Sequence, residues 1–441
     1  MPPGKLRPEV IAGHNALSLA MAIAAPSGAL DISPSDTSLS GLDWLNFCLA
    51  GMQSGFGPFV AVLLAVGGWS QENIGLVLSA GGFAGLLSQL PGGELLDVTR
   101  SKRLLVALGA SAVALSALVI AFWPTLPVVF AALVLQGLTG GFLGPTIAAI
   151  SLGLVGHAGL AERLGRNQRF ASAGGVAATA SMGAIGYAFS YQSIFLASAA
   201  LAIPLLFALA RIRSAEVHHG RACGQPDHHA PTQPPRALRL SLRRNLGLLT
   251  FAACVFLFQF ANASMLPLAG EALAYHGGTH ASFVISAMII VPQVVVVLAA
   301  PWVGREAQSW GRRPLLLLGF GALTLRALLF ALTSNPLLLV PIQLLDGVSG
   351  SVLGVLTALI IADLTQGTGR FNLAQGFVGT LGGIGAVLST TFFSLVVQHL
   401  GGAIGFISIA AVALSTVLIV WFRMPETRPP VVKPTVPAPS S

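Results

Sequence analysis

Asp346 and Arg326 are charged side chains that fall deep inside otherwise apolar sequence. A carboxylate at such depth costs about 2.5–3.5 kcal/mol on insertion scales, so a residue of this kind is kept for a purpose. Three purposes fit Asp346: an ion pair with Arg326, coupling of a proton or cation, or direct contact with a solute. Arg326 precedes and Asp346 follows the tight turn Ser334-Asn335-Pro336. Helical rise puts the two within ~5 Å in depth, so they can pair. Amides accompany them near mid-depth: Gln53, Gln136, Gln259, Asn262, Gln293 and, nearer one end of its segment, Gln375. Each offers a donor and an acceptor, either to a neutral or weakly charged organic solute or to a neighbouring helix. Gln53 and Asn262 stand shortly before Pro58 and Pro267, where a missing N–H frees a carbonyl and bends the backbone. This is the chemistry of binding rather than bond-making. The chain has no nucleotide loop, zinc signature or hydrolase elbow, so no catalytic residue, cofactor or metal is expected and the protein is not read as an enzyme. The histidine pairs His218-His219 and His228-His229 fit a solvated tether better than a metal site.

The elements that must hold these residues are membrane helices. Of 441 residues, 54% are hydrophobic and only 9% charged, against roughly 25% charged in soluble proteins. Twelve apolar spans follow one another, at about 43–66, 71–96, 103–123, 128–153, 167–190 and 192–211, then 247–272, 281–303, 313–333, 336–362, 372–397 and 402–422. Each is near or above the ~20 residues a helix needs to cross the hydrocarbon, and backbone groups in lipid must bond within their own segment. The two sets of six repeat one another. Gly137, Gly140 and Gly144 recur as Gly347, Gly350 and Gly354, Gly93 as Gly304, and Pro58 as Pro267. Duplication of a half points to a transporter built from repeats. The expected organisation is an N-terminal extension 1–41, a bundle 42–211, a polar linker 212–245, a second bundle 246–423 and a Pro-rich tail 424–441.

Charge sets the expected orientation. All 23 Lys and Arg except Arg326 fall in the extension, the linker, the tail or the loops on their side, whereas the opposite loops hold only Glu72 and Glu271. The positive-inside rule places both termini and the linker in the cytoplasm of a cell, here read as the inner, membrane. The net charge of +8 is thus a topology signal, and no nucleic-acid partner is needed to explain it. Trp44, Trp69, Trp123, Trp302 and Trp421 are expected at span ends, in the headgroup layer.

Two loops carry a family resemblance. The first reads Gly93-Glu-Leu95-Leu-Asp97, followed by Lys102-Arg103, and the second Gly304 through Gln308 to Gly311-Arg312-Arg313-Pro314. Both resemble the GxLxDxxGRRP signature of the major facilitator superfamily. Each departs from it: Arg100-Ser101 stand where Gly-Arg is expected in the first, and Glu306 and Gln308 replace Leu and Asp in the second. The closing Pro425-Glu426-Thr427 resembles a run common after the last helix of that superfamily. The resemblance covers about residues 42–427. It implies an all-α membrane protein of twelve transmembrane helices in two pseudo-symmetric six-helix bundles, with the two loops as gates. Asp97 is then expected to face the N-terminus of the eleventh helix, where an anion is favoured, and Gln308 to make a weaker, uncharged counterpart at the fifth. Asn167 and Asn372 are expected to start helices. Leu133 stands where drug antiporters of the superfamily usually carry an arginine, and Ala171–Gly186 lacks their proline. The usual multidrug antiporter is therefore a poor fit.

The reading is a secondary transporter, a monomer in the lipid bilayer, that moves a small organic solute by alternating access. A proton is the available coupling ion and export the preferred direction. A nutrient importer or uniporter, and a non-transporting receptor on the same scaffold, are the alternatives.

Overall fold

A computed structural model describes residues 34–56, 58–225, 245–276, 281–333 and 335–428. Most of the extension, the later linker including His228-His229, and most of the tail lie outside these. The elements are α1 (Asp36–Ser54), α2 (Pro58–Val66), α3 (Gln71–Val98), α4 (Lys102–Phe122), α5 (Leu126–Ala188), α6 (Tyr191–Ala200) and α7 (Ala202–Arg211). A 3-10 turn (Ser214–Glu216) and the short α8 (His219–Ala222) open the linker. The second half holds α9 (Leu246–Asn262), α10 (Met265–His276), α11 (Ala281–Ser309), α12 (Arg312–Leu332), α13 (Pro336–Ile342), α14 (Leu344–Thr365), α15 (Phe371–Leu400) and α16 (Gly402–Arg423). Among the described residues, eleven helical stretches are long and apolar enough to cross a membrane. One of them, α5, has 63 residues and makes two crossings, giving twelve.

The turn inside α5 rests on one glycine. A straight helix of that length would span ~95 Å, three times the hydrocarbon thickness. Gly156, at φ +64° and ψ −175°, breaks it in a backbone region that only glycine occupies readily. The chain folds back there: Asn167 Nδ2 donates to Ser151 Oγ at 2.8 Å, which a continuous helix would hold ~24 Å apart. Asn167 is therefore not a helix-start residue. It is buried beside the turn, and its Oδ1 accepts from Arg163 Nε at 2.7 Å.

Helices also reach beyond the expected spans on the linker side. Asp36 begins α1, capped by the Ser35 side chain, and α11 runs on to Ser309. Trp44 and Trp302 therefore lie inside helices, while Trp123 does end α4. The signature residues are mostly helical too, with residues 99–101 between α3 and α4 and Trp310 and Gly311 between α11 and α12 outside.

One apolar core lies within the first half, from Leu42 to Ile212. The core of the second half continues across the junction into Leu160, Ala161 and Leu164 of α5 and Ala222 of the linker. The halves are thus packed as one body on the linker side. On the outer faces, Phe83, Phe207, Leu298 and Leu332 are 62–83% exposed, the expected state for side chains whose solvent is lipid.

Candidate functional site

Between the halves lies a cavity of about 670 Å³, lined by α1, α3, α5, α9, α14 and α15. Among the described residues, no charged side chain lines it. Its polar groups are seven amides and Thr357: Asn46, Gln89, Asn167, Gln168, Gln259, Asn262 and Gln375. Val255, Phe258, Leu353 and Ile361 supply apolar wall. The volume is that of a small-molecule site.

The amides divide by what they already bond. Asn46 Nδ2 donates to Leu42 O at 2.7 Å, Asn167 is engaged at both ends, and Asn262 Oδ1 accepts from Arg326 at 2.7 Å. Among the described residues, the side chains of Gln89, Gln168, Gln259 and Gln375 have no hydrogen-bond partner in the protein. Two come from each half. Four amides facing a cavity with open hydrogen-bonding capacity are available to a ligand.

Of the expected cavity residues, the structure brings Gln259, Asn262 and Gln375 together. Gln53 and Gln136 are not among the lining. Gln53 is seven residues beyond Asn46 on α1, and Gln136 eight residues before Gly144 on α5, so both sit ~10–12 Å further from the linker. Gln293 is exposed, because α11 turns Pro292 and Val295 onto Gly347 of α14 instead. Asp346 is also outside the lining. Its Oδ1 lies 2.5 Å from Arg326 Nη1. The Arg326 side chain is 1% exposed and that of Asp346 27%, and the guanidinium also stands over the Phe330 ring. The pair therefore joins α12 to α14 and, through Asn262, to α9. Gln89, Gln168 and Asn46 went unnoticed in the sequence. Each is an amide within an apolar span, the same signal that singled out Gln259, but nothing local marks which face of the helix meets the cavity.

The two loops expected to act as gates join the halves on the linker side. At the first, Asp97 accepts from Asn372 N (3.2 Å), Asn372 Nδ2 (2.8 Å) and Leu373 N (3.1 Å), the free donors at the start of α15. Gly93 permits this approach: a Cβ there would stand 2.4 Å from Asn372 O. At the second, a Cβ on Gly304 would stand 2.5 Å from Ala161 O, and Gln308 Nε2 donates to Ala158 O at 2.7 Å. One gate contact is a carboxylate on helix N–H groups, and its counterpart is an amide on a carbonyl. The asymmetry follows from Gln308, which has a donor to give where Asp97 has only acceptors.

The basic signature residues cap helix C-termini. Lys102 Nζ reaches Leu96 O and Thr99 O at 3.2 Å each, Arg103 Nη2 reaches Leu209 O at 3.1 Å, and Arg312 Nη1 reaches Ala307 O at 2.6 Å. Arg313 bonds Trp421 O. Cations at such carbonyls are favoured by the helix dipole. Gly311, at φ +96°, turns the chain so that Glu426 accepts from Arg312 N (2.8 Å) and Arg313 N (3.1 Å). Buried Asp43, unmarked in the sequence reading, holds Arg163 and Arg166 beside the α5 turn.

Asp97→Asn should loosen the first gate. It removes the charge facing α15, and the expected shift toward the open linker side is about 1–2 kcal/mol, roughly tenfold in population. Distance distributions between spin labels at the linker ends of α3 and α15 would report it. An unchanged distribution would remove Asp97 from the gate.

Comparison with known proteins gives a consistent set of likenesses. A profile of the Major Facilitator Superfamily matches residues 42–295 and 248–441. Two uncharacterized MFS-type transporters of Mycobacterium tuberculosis, MT2531 and Rv2456c, are each 40% identical over 392 residues, covering 88% of this chain and 93% of theirs. The class B tetracycline resistance protein of Escherichia coli is 33% identical over 168 residues, covering 36% of this chain and 37% of its own. Among solved structures, the proton:xylose symporter XylE bound to 6-bromo-6-deoxy-D-glucose superposes with a TM-score of 0.66 at 15% identity, covering 89% of this chain and 96% of that one. The human organic anion transporter MFSD10 (TETRAN) does so with a TM-score of 0.61 at 15% identity, covering 87% and 98%.

Proposed function

The chain belongs to the Major Facilitator Superfamily and is a multi-pass secondary transporter of a small-molecule solute, and we propose that the solute is neutral and carries several hydroxyl, carbonyl or amide groups. The observation that carries this is the cavity itself: unpartnered glutamines from both halves and, among the described residues, no charged lining. A buried charge on a ligand would need a counter-charge there, whereas uncharged polar groups find both donors and acceptors. Binding that draws on both halves also gives the solute a differential hold on the closed cavity, which alternating access requires.

The linker-side gates, shut by Asp97 and Gly93 on α15 and by Gly304 on α5, support a conformation in which the solute enters from the other side. With termini and linker in the cytoplasm of the inner membrane, that is the outward-facing state. Export remains the preferred net direction, in keeping with the partial likeness to a resistance protein. Coupling to a proton would use Asp346, and would require release of the Arg326 pair during the cycle. Uptake into proteoliposomes with and without a pH gradient tests this, and transport indifferent to the gradient would make the protein a uniporter. A monomer is the proposed working unit.

Gln259→Ala should weaken solute binding about two- to tenfold by removing one net hydrogen-bonding group of about 0.5–1.5 kcal/mol, and leave the ligand-free melting temperature within a degree or so. Calorimetric titration beside a thermal melt would check both. A large loss of apo stability with unaltered affinity would make Gln259 a packing residue.

A further inference from the structure

The start of the linker is not the solvated tether its composition predicts. Residues 212–225 first run along the first half. Arg213 N donates to Ser38 Oγ at 3.0 Å, Glu216 Oε2 accepts from Ser35 N and Oγ at 3.0 Å each, and His218 N donates to Gly153 O at 3.1 Å. Lys102 Nζ then lies 3.3 Å from His219 Nδ1 and 3.6 Å from Cys223 Sγ, and that thiol donates to Asp97 O at 3.3 Å. From there the strand crosses to the second half. Three successive carbonyls are used: Ala222 O accepts from Asn372 Nδ2 (3.0 Å), Cys223 O from Phe371 N (3.2 Å) and Gly224 O from Gly367 N (2.7 Å). Gly224, at φ +82°, makes the bend that presents them, and its α-carbon faces Phe371, with an added Cβ 3.2 Å from Phe371 Cβ.

The free N–H groups that begin α15 are therefore shared. Asn372 and Leu373 go to Asp97, and Phe371 goes to the linker. Asn372 bonds both through its side chain. The linker is anchored to the half that carries Asp97, so movement of α15 away from that half strains its bonds to Asp97 and to the linker alike.

We propose that residues 218–225 are a second latch on the linker-side gate, that they release α15 whenever that gate opens, and that Cys223 is a thiol which soft electrophiles reach only then and whose capping holds the gate open. The inference rests on the alternating-access reading. Cys223 is 2% exposed, wedged between the ends of α3 and α15 with Lys102 against it, which leaves no room for an added group while the latch is shut. Burial pushes its thiol up, against the pull of Lys102, so the closed state is also the unreactive one. Burial and then Lys102 and Arg100 hold the neighbouring His219 down, keeping its imidazole neutral beside the ammonium. Capping by a maleimide is an addition: the Sγ–C bond forms at one alkene carbon, the thiol proton ends on the other, and nothing leaves or is oxidised.

The test uses full-length protein with Cys48→Ala and Cys254→Ala, and follows N-ethylmaleimide addition to Cys223 by mass spectrometry. Gly224→Val strains the left-handed bend and crowds Phe371. It should speed labelling about tenfold, the effect of losing one or two net hydrogen bonds across the latch. Asp97→Asn, which frees the same helix end from the other partner, should also speed it, and serves if Gly224→Val fails to elute as a folded monomer. Parent protein that labels as fast as denatured protein, or variants that leave the rate unchanged, would overturn the latch. If Asp97→Asn opens the gate by spin-label distance while Cys223 stays protected, the latch fails and alternating access stands. Protein capped after opening should keep the open distance. A return to the closed distance would overturn the effect assigned to capping.

Discussion

Asp346→Ala is expected to cost about 3–5 kcal/mol of stability, the penalty of leaving a buried charge without its partner. Arg326 would lose the carboxylate 2.5 Å from its Nη1 and keep only the Asn262 oxygen as a polar contact at that nitrogen. Its Nε already has no partner, and a side chain 1% exposed cannot turn to water. Arg326→Leu together with Asp346→Leu should recover most of the loss, because removing both charges removes the desolvation cost as well. Thermal and chemical denaturation of the purified protein in detergent would measure the cycle. If Asp346→Ala melts with wild type, the pair is not structural, and Asp346 returns as the coupling acid.

Gly93→Val should abolish transport while sparing the fold of each half. The substituted Cβ would sit 2.4 Å from Asn372 O and 2.9 Å from Leu373 Cα, both backbone atoms at the tip of α15. Such a clash is not relieved by a rotamer change, and overpacking of this kind costs about 1–3 kcal/mol or more. The strain exists only when the linker side is shut, so it falls on one state of the cycle. A bias of a few kcal/mol leaves the opposite state nearly empty. Solute flux in proteoliposomes should drop below detection, with Asp97 and α15 held apart in spin-label distances. Gly304→Val should act in the same way at Ala161 O, 2.5 Å away. Normal flux in both variants would mean that these seams do not close during transport.

The fold was legible because its signals are physical and long. Spans of some 20 apolar residues, a recurring set of glycines and one-sided Lys and Arg each report on the bilayer and leave few alternatives. Gly156 was not legible. Its turn was expected as a loop with Asn167 starting a helix, whereas a single positive-φ glycine reverses the chain and buries Asn167 against Ser151. The linker misled for a related reason: Pro-, Ala- and Arg-rich composition reads as solvated, yet residues 212–225 dock through backbone carbonyls that no side-chain pattern announces. The cavity was half legible. Gln259, Asn262 and Gln375 could be picked as amides in apolar sequence, but depth along each helix decides which amides meet. A shift of two turns separates Asn46 from Gln53 and Gly144 from Gln136. Pairing of Arg326 with Asp346 needed only the intervening turn, because both arms of a hairpin keep the same depth count.

The most direct measurement is a ligand-screened thermal shift on the purified full-length protein beside Gln259→Ala/Gln375→Ala. The panel holds neutral sugars, polyols, nucleosides and amides together with organic anions and cations. The expected result is that a neutral, hydroxyl- or amide-bearing solute raises the wild-type melting temperature, as any ligand of the folded state must, and fails to raise that of the variant. Stabilisation by charged solutes alone, or an equal rise in wild type and variant, would contradict the assignment of the four glutamines as the solute's partners.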